Sequence, residues 1–258
     1  MRTALTIAGS DSSGGAGIQA DLKTFAALGV FGCSAITAVT AQNTLGVTAV
    51  VQLDASMVVA QIDTVLADLE IHATKIGMLS SEAIVSAVAD AVRRHRLSNV
   101  VVDPVMVSKS GARLLDQDAV DAMRTQLFPL STIVTPNVFE AEALTGKPIG
   151  NRHDQRAAAI ALMDLGPRAV LVKGGHLDGP AVDVFHDGQQ TIELEAERID
   201  SPHTHGTGCT LSSAIAARLA LGDDLPAAVR AAKTYVTRAI AQAPGLGRGH
   251  GPLQHFVT

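Results

Sequence analysis

At residues 203–209 the chain reads His203-Thr204-His205-Gly206-Thr207-Gly208-Cys209, a glycine-containing loop that runs directly into a helical pattern. Leu211, Ile215 and Leu219 follow at four-residue spacing, which predicts one apolar helix face, and Gly222 stands where a glycine commonly ends a helix. The unpaired N–H groups at the start of a helix, together with the positive end of its dipole, bind anions. The stretch therefore predicts an anion site, although similar loops are also common as connections that bind nothing.

Length and composition favour a single domain over residues 1–258, because 47% hydrophobic and only 17% charged residues can build a large core. The formal net charge of −5 argues against a nucleic-acid-binding protein, which usually carries a basic surface, so small molecules are the expected partners. Two cysteines provide no disulfide framework and favour a cytoplasmic location. No apolar run reaches the roughly 18 residues of a membrane span, and no signal peptide is expected.

Short β-branched runs alternate with alanine-rich helical patterns, which is typical of a parallel sheet covered by helices. The predicted strands are Ala4 to Ala8, Ser34 to Thr40, Thr74 to Gly77, Asn99 to Asp103, Thr132 to Thr135, Ala169 to Lys173, and a hairpin of Val182 to His186 and Thr191 to Leu194. Asp187-Gly188 marks the hairpin turn. Helices are predicted between them, for example at Ser81 to Arg94 and at Leu225 to Ala243. The expected fold class is α/β.

Polar side chains that could bind a ligand or take part in catalysis follow most of these strands. The carboxyl ends of parallel strands meet at one edge of a sheet. The first such loop begins at Gly9 and continues to Asp21, but Gly15 stands where a P-loop needs lysine, and the spacing also fails the dinucleotide pattern. Any one polar residue at a strand end is commonly only a helix cap. Five or six such ends together favour a ligand site.

Six motifs follow one another along the chain: residues 8–25, Ala41-Gln42-Asn43-Thr44, Lys75-Ile76-Gly77-Met78-Leu79, Thr135-Pro136-Asn137 with Glu140-Ala141, Val172-Lys173-Gly174-Gly175-His176, and His205-Gly206-Thr207-Gly208-Cys209-Thr210. In these motifs the sequence resembles the hydroxymethylpyrimidine/phosphomethylpyrimidine kinases of thiamine biosynthesis, which belong to the ribokinase-like superfamily. The resemblance implies a ribokinase-like three-layer α/β/α sandwich with a central, mostly parallel sheet. It also implies two successive ATP-dependent phosphorylations, of 4-amino-5-hydroxymethyl-2-methylpyrimidine and then of its monophosphate, by a homodimeric enzyme.

The same resemblance assigns roles to individual residues. The pyrimidine pocket would be lined by Gly9, Asp21, Gln42, Met78, Val105 and Cys209. Mg²⁺ and phosphate would be served by Asn137 and Glu140, with Asp103 nearby; Lys173 would touch the ATP phosphates, Gly206, Thr207 and Gly208 would form the anion hole, and Lys233 would border adenine. The chemistry of Gln42 agrees with its assignment, because an amide offers one donor and one acceptor to an aminopyrimidine edge.

Cys209 stands where most ribokinase-like enzymes carry an aspartate base. A helix N-terminus should lower the pKa of its thiol and supply a thiolate base near neutral pH. A substrate-positioning or anion-hole role is the second interpretation, and inert packing is the third. Zinc binding with His203 and His205 lacks a fourth ligand, and a cysteine-hydrolase role does not suit a phosphate-type loop.

Two other functions are retained as alternatives. The first is a kinase of the same fold that acts mainly on pyridoxine or pyridoxal, because those relatives share the cysteine-containing loop. The second is a pyrimidine or nucleotide sensor without catalytic activity. The presence of Asp103, Asn137, Glu140 and Lys173 argues against the sensor.

Overall fold

The computed structural model describes residues 1–106 and 117–257 and shows one nine-stranded sheet. The strands are β1 (Thr3–Asp11), β2 (Phe31–Asn43), β3 (Gly46–Gln52), β4 (Ala73–Ile76), β5 (Val100–Val102), β6 (Ile133–Val134), β7 (Val170–Val172), β8 (Ala181–His186) and β9 (Thr191–Ala196). All eight predicted strands are present, with ends that differ by up to three residues. Strand β3 was not predicted.

The sheet order is β3-β2-β1-β4-β5-β6-β7-β8-β9. The six strands from β2 to β7 in this order pair in parallel, whereas β3, β8 and β9 are antiparallel additions at the two ends. The predicted hairpin is confirmed: β8 pairs with β9, and Gly188 adopts a positive φ of 84° in its turn. The central sheet is therefore mostly parallel, as expected.

The helices are α1 (Gly17–Ala27), α2 (Ala55–Leu66), α3 (Glu82–His95), α4 (Gln117–Ala122), α5 (Val138–Thr145), α6 (Arg152–Ala161), α7 (Thr207–Leu221) and α8 (Leu225–Ala241). The predictions for α3, α7 and α8 are confirmed within two residues of each end. Ser81 caps α3 by accepting a hydrogen bond from the N–H of Ile84, and Gly222 ends α7 in the left-handed conformation at φ 102°.

Two apolar cores lie on opposite faces of the sheet. One core joins the sheet to the helices from α2 to α6, and the other joins it to α1, α7 and α8. The triple valine of β5 shows why the strands read as unbroken apolar runs: Val100 and Val102 belong to the first core, Val101 belongs to the second, and all three are buried. The result is the expected three-layer α/β/α sandwich.

Helix α7 is buried nearly all round, including the hydroxyl residues on its polar side. Each of those hydroxyls has a partner. Ser213 donates to Asp21, Ser212 donates to the carbonyls of Gly208 and Cys209, and Thr210 meets His255 near the carboxyl terminus. Burial of residues 210–217 therefore leaves the middle of the helix without an exposed face and fixes the position of its first turn.

Candidate active site

A cleft of about 1310 Å³ lies where the carboxyl ends of the parallel strands meet the loop before α7. Residues at the ends of β1, β5, β6 and β7 line it, namely Asp11, Asp103, Asn137 and Lys173. The sequence-based expectation that the strand ends converge is confirmed. The volume exceeds the roughly 300–1,000 Å³ of a site for one small molecule, so the cleft has room for two substrates.

The loop before α7 places bare backbone at the floor of the cleft. Gly206 has a φ of 80°, and a Cβ atom there would lie 1.8 Å from the carbonyl oxygen of Gly15, so only glycine fits this contact between the two glycine loops. Within the described residues no side chain caps the start of α7. The Thr207 hydroxyl instead donates to the Thr204 carbonyl at 2.8 Å. The first N–H groups of α7 are therefore suited to bind an anion.

Lys173 and two carboxylates face this helix start. The Nζ atom of Lys173 lies 2.7 Å from Oδ1 of Asp103 and 3.9 Å from Oε2 of Glu140. A Cβ atom on Gly208 would lie 3.2 Å from Lys173 Nζ and 3.3 Å from Asp103 Oδ2. Three of the predicted phosphate and metal residues are thus brought together opposite the anion loop.

Glu140 is held by a capping box at the start of α5. Asn137 Oδ1 accepts from the Glu140 N–H at 2.9 Å, and Glu140 Oε2 accepts from the Asn137 N–H at 2.7 Å. Burial raises the pKa of Glu140 to about 7 against the opposing effect of Lys173, and Asp103 adds to the rise. The carboxylate is thereby placed where a cation is needed for it to remain charged at neutral pH.

Four of the residues predicted for the pyrimidine pocket line one wall of the cleft: Gly9, Gln42, Met78 and Val105. A Cβ atom on Gly9 would lie 2.6 Å from Cε of Met78, so glycine gives the methionine its space. The Thr37 hydroxyl donates to the Met78 carbonyl at 2.7 Å and holds the main chain there. The wall is apolar apart from the amide of Gln42.

Asp21 differs from its predicted place in the pocket. Its side chain is fully buried behind the wall, where Oδ2 lies 2.8 Å from Lys75 Nζ and also accepts from the Thr6 hydroxyl, while Oδ1 accepts from Ser213. Lys75 is fully buried as well. Burial would lower the pKa of Lys75, but the attraction and hydrogen bond of Asp21, together with the attraction of Cys209 and Asp103, outweigh it and raise that pKa above its usual range. Asp21 therefore serves the buried lysine rather than a ligand directly.

The pKa of the Cys209 thiol is shifted in the opposite direction from the one expected. Burial raises its pKa to about 11, and the negative charges of Asp21 and Asp103 add to the rise, whereas Lys75 and the Gly17 N–H only partly oppose it. The prediction that the helix N-terminus lowers this pKa is wrong, because loss of solvent outweighs the helix dipole. Cys209 lines the cleft as a neutral thiol.

Lys233, which was predicted to border adenine, lines the cleft from α8, but its ammonium group is already hydrogen-bonded within the protein. It donates to Asp183 Oδ2 at 2.8 Å and to the Ala181 carbonyl at 3.0 Å. Asp183 Oδ1 in turn accepts from the Gly174 N–H at 3.0 Å, directly after Lys173. Lys233 is thus tied to the turn that carries Lys173.

Three residues of the site were not assigned a role from sequence: Asp11, Lys75 and His205. Asp11 and His205 both line the cleft, and Asp11 Oδ2 lies 2.8 Å from His205 Nε2, with side chains 4% and 12% exposed. All three residues stand inside the motifs that carry the family resemblance. Their polar side chains within those motifs were the signal in the sequence that could have identified them.

In the ranges 1–106 and 117–257, every helix is too short or too polar to span a bilayer.

The sandwich, the anion loop and the lysine–carboxylate cluster define a small-molecule kinase of the ribokinase-like class. The family model described as phosphomethylpyrimidine kinase matches residues 11–254, and the chain belongs to this family. It is 55% identical to the hydroxymethylpyrimidine/phosphomethylpyrimidine kinase of Rhizobium meliloti, over 98% of this chain and 96% of the relative.

Two solved structures extend the comparison. A phosphomethylpyrimidine kinase of Clostridium difficile 630 is 47% identical with a TM-score of 0.84, covering 93% of this chain and all of that chain. An ADP complex of Bacillus subtilis pyridoxal kinase is 41% identical with a TM-score of 0.92, covering 99% of this chain and 97% of that chain. The fold and the nucleotide-binding class agree with the expectations from sequence.

Proposed function

We propose that the protein is an ATP-dependent kinase that phosphorylates 4-amino-5-hydroxymethyl-2-methylpyrimidine and then its monophosphate, for thiamine biosynthesis. The observation that carries the proposal is the position of the start of α7. A Cβ atom on Gly208 would lie 3.2 Å from Lys173 Nζ, and His205, just before the helix, lies 3.2 Å from the Gln42 amide nitrogen. Relatives named for this activity share about half of the residues over nearly the whole chain. A polar amide in an apolar wall suits an aminopyrimidine, since such a site rejects analogues that lack the matching groups.

ATP is the expected phosphoryl donor. The cleft beyond Lys173 is bounded by Leu211, Val236 and Ile240, which offer an apolar surface to a purine base. The triphosphate would then extend toward Lys173 and the N–H groups of Gly206, Thr207 and Gly208. These groups are fixed before the reaction, so they stabilise negative charge on the migrating phosphoryl group without reorganisation.

The donor set also fits Mg²⁺. Asp103 and Glu140 supply hard carboxylate oxygens at one point of the cleft, and Mg²⁺ commonly takes one or two carboxylates together with substrate phosphates and water. When bound, the ion would neutralise phosphate charge and orient the phosphates. Asn137 would hold Glu140 for this role through the capping box.

Cys209 is assigned a positioning role rather than that of a base. A neutral thiol at the junction of the pocket and the anion loop limits how far the substrate hydroxymethyl group can enter. Phosphoryl transfer through a loose transition state asks mainly for alignment and charge stabilisation, so a strong base is not required.

Pyridoxal phosphorylation is a second candidate activity. The observation in its favour is the high structural similarity to a pyridoxal kinase over 99% of the chain.

The homodimer, the single domain over residues 1–258 and the cytoplasmic location remain proposals. The exposed edge strand β3, with Val50 and Val51 at its surface and Val39 on β2 beside it, would suit pairing with a second copy of the chain. Free Cys33 and Cys209 suit a reducing compartment.

The test supplies the purified protein with MgATP and, separately, the aminopyrimidine alcohol, its monophosphate and pyridoxal, and measures ADP release together with the phosphorylated product. We expect turnover of the alcohol and of the monophosphate, both lost in the Glu140→Gln variant. Preferential turnover of pyridoxal would establish the second candidate instead. Binding without turnover would establish the sensor.

A further inference from the structure

Asp11 joins the first glycine loop to the loop before α7. Its Oδ1 atom accepts from the N–H and the hydroxyl of Ser13, at 2.9 and 2.7 Å, and its Oδ2 atom accepts from the Ala16 N–H at 2.8 Å. The same Oδ2 atom lies 2.8 Å from Nε2 of His205. With His205 this carboxylate therefore links the two loops that hold the substrates.

Gln42 approaches the same histidine nitrogen. Its Nε2 atom lies 3.2 Å from His205 Nε2, and its Oε1 atom lies 3.1 Å from the hydroxyl oxygen of Thr40. The Thr40 hydroxyl has one proton and two acceptors within reach, the Ser10 carbonyl at 2.9 Å and Gln42 Oε1 at 3.1 Å. In this orientation the amide oxygen therefore competes with the Ser10 carbonyl for a single proton.

The protonation of the pair decides the orientation of the amide. Burial would raise the pKa of Asp11, but hydrogen bonds from His205 and Ser13 outweigh it and lower that pKa to about 2, so the group is a carboxylate at neutral pH. An ionised carboxylate only accepts, hence Nε2 of His205 carries a proton toward it. That nitrogen cannot also accept a hydrogen bond from the Gln42 amide nitrogen.

Exchanging the two ends of the amide removes both conflicts. The Gln42 oxygen then shares the His205 N–H with Asp11, and the Gln42 nitrogen donates to the Thr40 hydroxyl oxygen. Amide nitrogen and oxygen are nearly equal in size, and the hydrogen-bond network assigns them. One amide N–H and one lone pair of the oxygen remain for a ligand.

We propose that Asp11 and His205 lock the Gln42 amide in this one orientation, and that the lock makes the pocket select an aminopyrimidine over its oxo counterpart. The inference rests on the proposed function, with Gln42 as the group that contacts the pyrimidine. A 4-aminopyrimidine edge pairs an exocyclic donor with a ring acceptor, whereas the 4-oxo form exchanges donor and acceptor. With the hydroxymethyl group directed at the anion loop, a locked amide matches only one of these edges.

The experiment measures, by calorimetry without nucleotide, the dissociation constants of the 4-amino alcohol and of its 4-oxo analogue. The wild-type protein is compared with His205→Phe, which keeps a ring beside Gly15 but removes the N–H, and with Thr40→Val, which frees the other end of the amide. His203→Phe is the matched control, because His203 stands two residues earlier in the same loop and outside this network. Melting temperatures establish that each variant is folded.

We expect the wild type to prefer the amino form by about 100-fold, as two mismatched hydrogen bonds imply, and His205→Phe to reduce this preference about tenfold. Thr40→Val should reduce it less, and His203→Phe should leave it unchanged. The lock is overturned if His205→Phe and Thr40→Val are both folded and both keep a preference for the amino form within twofold of the wild-type value. If His205→Phe is unfolded, the preference of Thr40→Val alone decides. A wild type that fails to bind the aminopyrimidine overturns the proposed function itself and the lock with it.

Discussion

The protonation state of Cys209 gives the sharpest prediction. Burial raises the pKa of this thiol from 9.0 to about 11, so at pH 7 the thiolate is about one molecule in 10,000, against about one in 100 for the ordinary value. A raised thiol pKa keeps the group neutral throughout the physiological range. Cys209→Ser, which keeps a small neutral hydrogen-bonding group, should therefore retain kcat within about threefold.

The assay combines kinetics with the pH dependence of alkylation. In a Cys33→Ala background, iodoacetamide reacts only at Cys209, because the chain has two cysteines. The rate in the ligand-free protein should rise about tenfold per pH unit through pH 10 without levelling. Steric protection would scale all rates equally, so the shape of the profile reports the pKa. A plateau below pH 8, or a loss of more than about 100-fold in kcat for Cys209→Ser, would refute the assignment of a neutral thiol.

Three further changes test the buried charges and the pocket. Lys75→Met should destabilise the fold by about 3–5 kcal/mol, because it leaves Asp21 charged and without its lysine partner. In urea unfolding, the double variant with Asp21→Asn should recover most of this loss of stability. A double variant no more stable than Lys75→Met would contradict the pairing. Glu140→Gln should abolish turnover but keep the capping oxygen, so stability and pyrimidine affinity should change little; full activity would remove the metal assignment. Gln42→Ala should raise the KM for the pyrimidine roughly 10- to 100-fold, since two hydrogen bonds of about 1 kcal/mol are lost. An unchanged KM would place the pocket elsewhere.

The layer architecture could be predicted because apolar runs and helical spacing are local properties of the sequence. Strand β3 escaped because it lies at the sheet edge with most of its residues exposed, so Val50 and Val51 pack against no core and give no alternating pattern. Sequence patterns report burial, and an exposed edge strand lacks that signal.

The site divides in the same way. The proximity of Lys173, Asp103 and Glu140 could be predicted because each residue follows a parallel strand. The position of Asp21 could not, because its partner Lys75 is 54 positions away and only packing brings the two charges together. The pKa of Cys209 failed for a related reason: the helix dipole is visible in the sequence, whereas the loss of solvent around the thiol is a property of the whole fold.

The burial of α7 over residues 210–217 has a consequence for dynamics. Its amide protons exchange with solvent only when the surrounding layers open, so the body of the helix should exchange as slowly as the most stable part of the protein. The N–H groups of its first turn face the cleft and escape that protection. An anion bound at the loop should slow hydrogen exchange of these N–H groups, while the slow exchange of the rest of the helix stays unchanged. Exchange rates in the first turn therefore measure phosphate binding.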